Sequence, residues 1–294
     1  MLAQLSNSNF LVIQTLNSLS LGGLLFLLAA GFSLIFGLMR IANLTHGSLF
    51  MLGAYIGVSL LEAGVPNLWL AALAGGVATA VLGGLFERLV LRSLAGNSQG
   101  QVLVTLGVSF IVADLCLMLW GGDPLPIQTP ESVRSPLRVA GFTFPAYRLV
   151  VVALAIVVAI GLYVLIERTR LGAMIRAGVD DMPMARAVGI PVSRLFTIVF
   201  CLGAGLAGAG GIIGGPILSA YPGLDADMLP LALIVVLLGG VGSLAGAFIG
   251  SFLIGFVYTF GSALVPDLAY VILFLPMILV IAFRPTGLFG RMGA

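Results

Sequence analysis

The chain contains no lysine, one histidine and two cysteines, and only 8% of its 294 residues are charged. Each shortage excludes a class of chemistry. Without lysine there is no standard Walker A site, because that loop needs a lysine on the phosphates. Schiff-base catalysis through lysine is excluded as well. One His and two Cys cannot build a His/Cys metal centre of the usual ligand number, so no metal site and no cofactor is expected. Cys116 and Cys201 fall inside apolar runs and read as small buried hydrophobes. No His/Cys/Ser constellation suggests an enzyme. The first nine residues carry no positive charge, unlike the n-region of a signal peptide, so the first apolar run reads as retained. A soluble domain carries about 25% charged residues, and a chain with a third of that cannot cover a water-facing surface.

What the sequence has in abundance is apolar length. Sixty per cent of the residues are hydrophobic, the mean hydropathy is +1.20, and there are 40 glycines. A spanning helix needs about 20 mostly apolar residues, and glycine lets such helices pack closely. Runs at 10–37, 47–62, 68–86, 101–120, 149–166, 196–216, 228–241, 244–262 and 267–283 predict an all-α, polytopic transmembrane bundle. It is read as one domain over 1–294, with nine helices as the working count and eight to ten as the range. The runs at 47–62 and 228–241 are short. The run at 10–37 is long enough to tilt, kink or hold two pieces.

Arginine placement predicts the orientation. If 87–100 faces the cytoplasm, so do 38–46, 167–195 and 284–294. Those segments hold Arg40, Arg88, Arg92, Arg168, Arg170, Arg176, Arg186, Arg194, Arg284 and Arg291, which is ten of the 13 basic residues. The positive-inside rule then puts the N-terminus outside and the C-terminus inside. The outer side keeps Arg134, Arg138 and Arg148, with Glu62, Asp123, Glu131, Asp225, Asp227 and Asp267.

Two loops are long. The outer loop, 121–148, contains five prolines and reads as an irregular lid or docking surface. The inner loop, 167–195, is the most charged stretch. Asp180 and Asp181 precede a short segment, 182–188, where Pro183 suits a first helical turn and acids suit a helix N-terminus. This reads either as a short amphipathic helix lying on the cytoplasmic face or as a solvated connector.

Two stretches share a plan of helix, break and new helix. In 37–55 a run ends near Gly37, a polar break follows, and a new run starts at Gly47. In 237–255 a run ends near Gly239 and Gly240, and Gly242 and Ser243 make the break. Paired broken segments point to a substrate route in transporters with internal repeats, because freed backbone groups at membrane depth need protein or water. Tight helix packing through small residues is the alternative. The first break clusters Arg40, Asn43, Thr45 and His46. His46, the only histidine, is a titrating group or a fixed hydrogen-bonding one. Arg40 is a topology anchor or a gate. Asn43-Leu44-Thr45 fits the glycosylation pattern but faces inward here, which discards it. Asp114 is the one acid well inside a run; it is expected to face the bundle interior or a wet cavity or to be neutral, with snorkelling to the outer end, two turns away, as the alternative. Arg40, Asn43, His46, Gly47, Asp114, Gly240, Gly242 and Ser243 are therefore the candidate pathway residues.

These residues also carry a resemblance. Arg40 to Ser48, with Met51 to Tyr55, resembles the "N-x-x-H-G" signature of branched-chain amino acid ABC transporter permeases of the LivH type. Glu87-Arg88 with Arg92 resembles that family's inner turn. Arg170 to Gly172, Arg176, Asp180, Ala185 and Gly189-Ile190 resemble its coupling loop. Leu238 to Ala247 and Arg284 to Gly290 resemble two further stretches, and all five lie in the family's order. The chain departs where the family has Glu-Asp and this sequence has Asp180-Asp181, followed by Pro183. The resemblance implies one of two permease subunits of a bacterial inner-membrane uptake system. It also implies a second permease, two cytoplasmic ABC ATPase subunits and a periplasmic substrate-binding protein as partners. Gly172, Arg176, Asp180, Asp181, Ala185 and Gly189 would form the loop that meets the ATPase. A secondary transporter driven by an ion gradient remains the alternative.

Overall fold

The computed structural model describes residues 8–40, 43–139 and 142–290. Ile41 and Ala42 of the first break, Arg291, and the residues 1–7 that bear on the leader lie outside the described residues. Among the described residues eleven α-helices form: α1 (Ser8–Met39), α2 (Thr45–Glu62), α3 (Leu68–Leu89), α4 (Ser98–Trp120), α5 (Ala146–Arg168), α6 (Arg170–Asp180), α7 (Met182–Ala187), α8 (Val192–Leu218), α9 (Leu224–Gly239), α10 (Leu244–Leu264) and α11 (Ala269–Phe283). Each of the nine apolar runs becomes one helix. Six helical stretches, built on α1, α3, α4, α5, α8 and α10, are long and apolar enough to cross a membrane. The helices of the two short runs, α2 and α9, have 18 and 16 residues.

The long first run forms one undivided helix, α1. α1 carries no charge, is apolar all round, and therefore runs through the middle of the bundle, as a helix of that kind must. Leu24 to Ala30 are at most 2% exposed. Its main neighbours, α8 and α10, approach through glycine. A Cβ on Gly31 would stand 2.6 Å from the Gly203 carbonyl oxygen of α8, and one on Gly53 of α2 would stand 2.3 Å from that of Gly208. Such backbone-to-backbone contact replaces the hydrophobic effect as the source of cohesion in lipid, where apolar side chains gain nothing by leaving the solvent.

The ends of the bundle differ. The C-terminal ends of α1, α3 and α5 and the N-terminal end of α8 gather Arg40, Arg88, Arg92, Arg168 and Arg194 at one end, which we call the Arg-rich end. At the far end, 121–148 is more ordered than its prolines suggest. β1 (Pro136–Val139) and β2 (Phe142–Pro145) pair antiparallel, with Pro136 opposite Pro145. The prolines sit at the open end of the ladder, where a missing N–H does the least harm. Leu125 exchanges backbone hydrogen bonds with Ala220 at 2.8 and 2.9 Å. Ile127 is buried against Gly215 of α8. The loop thus fills the far end of the bundle as well as covering it.

Candidate functional site

The first break is deeper than its sequence suggests. His46 Nε2 lies 2.9 Å from the carbonyl oxygen of Leu28, and Leu28 stands about 16 Å along α1 from Met39 at 1.5 Å per residue. After Met39 the chain therefore turns back into the bundle before α2 begins. Arg40, with a φ of 54°, makes the turn. Asn43 organises the new N-terminus: its Oδ1 accepts from the Thr45 backbone N–H at 3.2 Å and from the Thr45 hydroxyl at 2.5 Å. The Leu44 N–H is taken by Thr105 Oγ1 of α4 at 3.3 Å. Asn43 Nδ2 and His46 Nδ1 are buried without a hydrogen-bond partner among the described residues.

The partner of this break at depth is not the 239–243 stretch but the turn before α9. Ser219 and Gly223 take positive φ, 66° and 97°. The chain reverses there and starts α9 against α2. A Cβ on Gly47 would stand 2.7 Å from the Asp225 carbonyl oxygen. Ser48 Oγ donates to Asp225 Oδ2 at 3.1 Å. Two helix N-termini thus converge on one carboxylate, and both positive dipole ends favour that charge. Tyr221 donates to Asp227 Oδ2 at 2.6 Å on the same turn. Asp225, expected on the outer side, is the acid placed between helices, and sequence reasoning missed it as a site residue. The signal was present in Pro222-Gly223, a turn dipeptide, followed by a helical run with Asp225 in its first turn.

Asp114, expected inside, lies on the other side of its helix. Gln101, Thr105, Ser109 and Cys116 are buried on one face that packs on protein: Thr105 and Ser109 meet the start of α2, and Gln101 donates to the Leu91 carbonyl at 3.1 Å. Asp114 is on the opposite, exposed face, among Leu103, Phe110 and Met118, which are 70%, 63% and 80% exposed. The structure therefore brings Gly47 and Ser48 against Asp225, gathers Asn43, Thr45 and His46 around the same start of α2, and leaves Asp114 apart.

The 239–243 stretch sits at the Arg-rich end, where it meets the beginning of the first break. A Cβ on Gly37 would stand 2.5 Å from Gly242 Cα. Its freed carbonyls are satisfied by the C-terminal segment: the Leu288 N–H donates to Leu238 O at 2.9 Å and the Phe289 N–H to Gly239 O at 3.0 Å. Gly240 has a φ of 100°, and Ser243 Oγ caps α10 by accepting from the Gly246 N–H at 3.0 Å.

The inner loop folds into an elbow of two helices, α6 and α7, where the sequence suggested one. Gly172 allows the α5–α6 corner, since a Cβ there would stand 2.0 Å from the Ile166 carbonyl oxygen. Thr169 caps α6 through the Gly172 N–H at 3.1 Å. Arg176 pairs with Glu167 at 3.3 Å and donates to the Ile166 carbonyl. Asp181 Oδ1 caps α7 by accepting from the Met184 N–H at 2.9 Å. Asp180 ends α6, Ala185 is the buried residue of α7, and Gly189 closes α7 with a φ of 87°. Arg40 joins this elbow to the first break: its guanidinium donates to the Val179 carbonyl at the C-terminus of α6, at 3.3 Å, the end of a helix where a cation is favoured.

Residues 14–281 match the family model of the permease component of branched-chain amino acid transport systems. The chain belongs to this family of permease components. It is 29% identical over 292 residues to the high-affinity branched-chain amino acid transport permease BraD of Pseudomonas aeruginosa, covering 95% of each chain. It is 26% identical over 294 residues to LivH of Escherichia coli K12, again over 95% of each. The fold is similar to a chain of PsaBC from Streptococcus pneumoniae, solved with a Fab, at a TM-score of 0.52 and 14% identity, over 95% of this chain and 93% of that one. As a member of this permease family the chain is a multi-pass membrane protein of ABC-type transport, and a transport subunit rather than an enzyme.

Proposed function

We propose that this permease carries branched-chain or related amino acids across the bacterial inner membrane, with a periplasmic binding protein delivering the substrate and two cytoplasmic ATPases driving the motion. The Arg-rich end then faces the cytoplasm, with the N-terminus periplasmic and the C-terminus cytoplasmic. The observation that carries this reading is the Arg40–Val179 contact, which fastens the α6–α7 elbow to the backbone break leading to the polar cluster. An ATPase gripping α7 would move α6 and α8, and Arg40 would pass that motion to the start of α2.

A second permease subunit covers the exposed face of α4. A carboxylate facing hydrocarbon costs at least about 2.5 kcal/mol, so the Asp114 face is suited to a passage between two permeases. On the α2 side of α4, within the chain, Arg40, Asn43, His46, Gly47 and Asp225 form a separate polar stretch of the route, and Gly240, Gly242 and Ser243 form the joint at the Arg-rich end. Gly172, Arg176, Asp180, Asp181, Ala185 and Gly189 shape the ATPase contact. The test is purification: the tagged chain should bring down a second permease and two ATPases, and Asp181→Arg should lose coupled uptake while substrate binding by the periplasmic protein persists. Normal coupled uptake in Asp181→Arg would overturn the role of the elbow.

One observation favours a second reading, a carrier driven by an ion gradient. Asp225 is an acid between helices at membrane depth, the kind of group that couples ions. Uptake by the chain alone under a proton or sodium gradient would support it.

A further inference from the structure

Glu87 ends α3 at the Arg-rich end and is a buried acid, 1% exposed. Its Oε2 meets Arg92 at 3.3 Å and accepts from Thr197 Oγ1 of α8 at 2.6 Å. Its Oε1 has no hydrogen-bond partner among the described residues. Arg92, on the 3-10 turn Leu91–Leu94, also donates to Thr197 Oγ1 at 2.6 Å and to the Ser193 carbonyl at 2.9 Å. A half-satisfied buried carboxylate is a poor source of stability, since apolar packing would serve as well or better. Its geometry has another property. Thr197 has one hydroxyl proton and two acceptors, Glu87 at 2.6 Å and its own helix's Ser193 carbonyl at 3.2 Å. Threonine in a helix readily bonds back to such a carbonyl. The cluster therefore has two arrangements, one in which the Thr197 hydroxyl ties Glu87 of α3 directly to α8 and one in which only Arg92 spans the two at this point.

Its position gives those arrangements a consequence. Thr197 and Ser193 lie in the first turns of α8, directly after the elbow, and just beyond them α3 and α8 touch, with a Cβ on Gly83 standing 2.5 Å from Ala204 Cβ. We propose that Glu87, Arg92 and Thr197 are positioning residues that lock α3 to the root of α8, so that motion received at α7 moves both helices together. This rests on the reading above that the elbow receives the motion.

The test uses the complete transporter in proteoliposomes, reading uptake and ATP hydrolysis in the same vesicles. Glu87→Gln should keep binding-protein-stimulated hydrolysis within about twofold and lower the substrate carried per ATP by about fivefold or more, the scale of a typical coupling energy. Thr197→Val should do the same, and Thr197→Ser, which keeps the hydroxyl, should restore the ratio. An unchanged ratio in Glu87→Gln and Thr197→Val, or uptake lost only in step with assembly, would overturn the proposal. If Glu87→Gln fails to assemble, the Thr197 pair decides alone. Asp181→Arg in parallel vesicles separates the two ideas. Uncoupled Asp181→Arg beside coupled Glu87→Gln removes only the lock, whereas full coupling in both removes the elbow reading too.

Discussion

Ser48 of α2 and Asp225 of α9 share a hydrogen bond of 3.1 Å, so the first turns of two helices that begin inside the bundle are held by one carboxylate. Deleting either partner should release both helix ends. Ser48→Ala and Asp225→Ala are each expected to lower initial uptake rates several-fold. Because the two residues touch, the double variant should fall short of the product of the single effects by about 1 kcal/mol of coupling energy. Initial rates in proteoliposomes, arranged as a double-mutant cycle, check this. Strict additivity would mean the bond does no work.

Gly37 and Gly242 meet backbone to backbone, with no flexible side chain between them to give way. Gly37→Ala should destabilise the protein by about 1–3 kcal/mol, the usual cost of overpacking. The fall in melting temperature in detergent measures it. Gly107→Ala, on α4 where a Cβ meets nothing, is the control and should leave the melting temperature no lower, since alanine favours a helix over glycine by up to about 1 kcal/mol.

Asp114 makes no hydrogen bond or ion pair among the described residues and stands on the exposed face of α4. Asp114→Leu should leave the isolated chain as stable as before, because no internal contact is lost. It should reduce uptake by the assembled transporter if that face borders the passage. Thermal melting and uptake, measured on one preparation, separate the two effects. Unaltered uptake in both Asp114→Leu and Asp114→Asn would remove this residue from the pathway.

Gly189 has a φ of 87° and open space around it, so a substitution there meets strain without collision. Gly189→Val forces a β-branched residue into the left-handed region, at roughly 1–2 kcal/mol or more. The expected result is a misplaced α7 with ATP hydrolysis retained and uptake lost. The ratio of the two activities is the measurement.

Nine of the eleven described helices were legible because run length and hydropathy mark an apolar helix, and the positions of the runs needed no tertiary information. Depth was not legible. A run says how many residues are apolar, not where they begin, so the placement of Asn43 and the start of α2 beside Leu28 emerge only from packing. Asp225 reads as an outer-loop acid because it follows a Pro-Gly turn, yet that turn lies within the bundle. The face of α4 was readable in principle: Gln101, Thr105, Ser109 and Cys116 recur at spacings of four, four and seven, and Asp114 falls opposite them. α6 stayed hidden because its mixture of arginine, glycine and apolar residues has too little mean hydropathy to stand out as an apolar run, and its contacts with α5, Arg40, Leu38 of α1 and Leu195 of α8 hold it in place.

The most direct test joins the purified chain with its second permease, its ATPases and the periplasmic protein in sealed vesicles and follows a labelled branched-chain amino acid. Uphill uptake that requires ATP, ignores ionophores and halts when Asp181 is changed to arginine is the predicted result. Uphill uptake by this chain alone, powered by a proton or sodium gradient and insensitive to ATP, would contradict it.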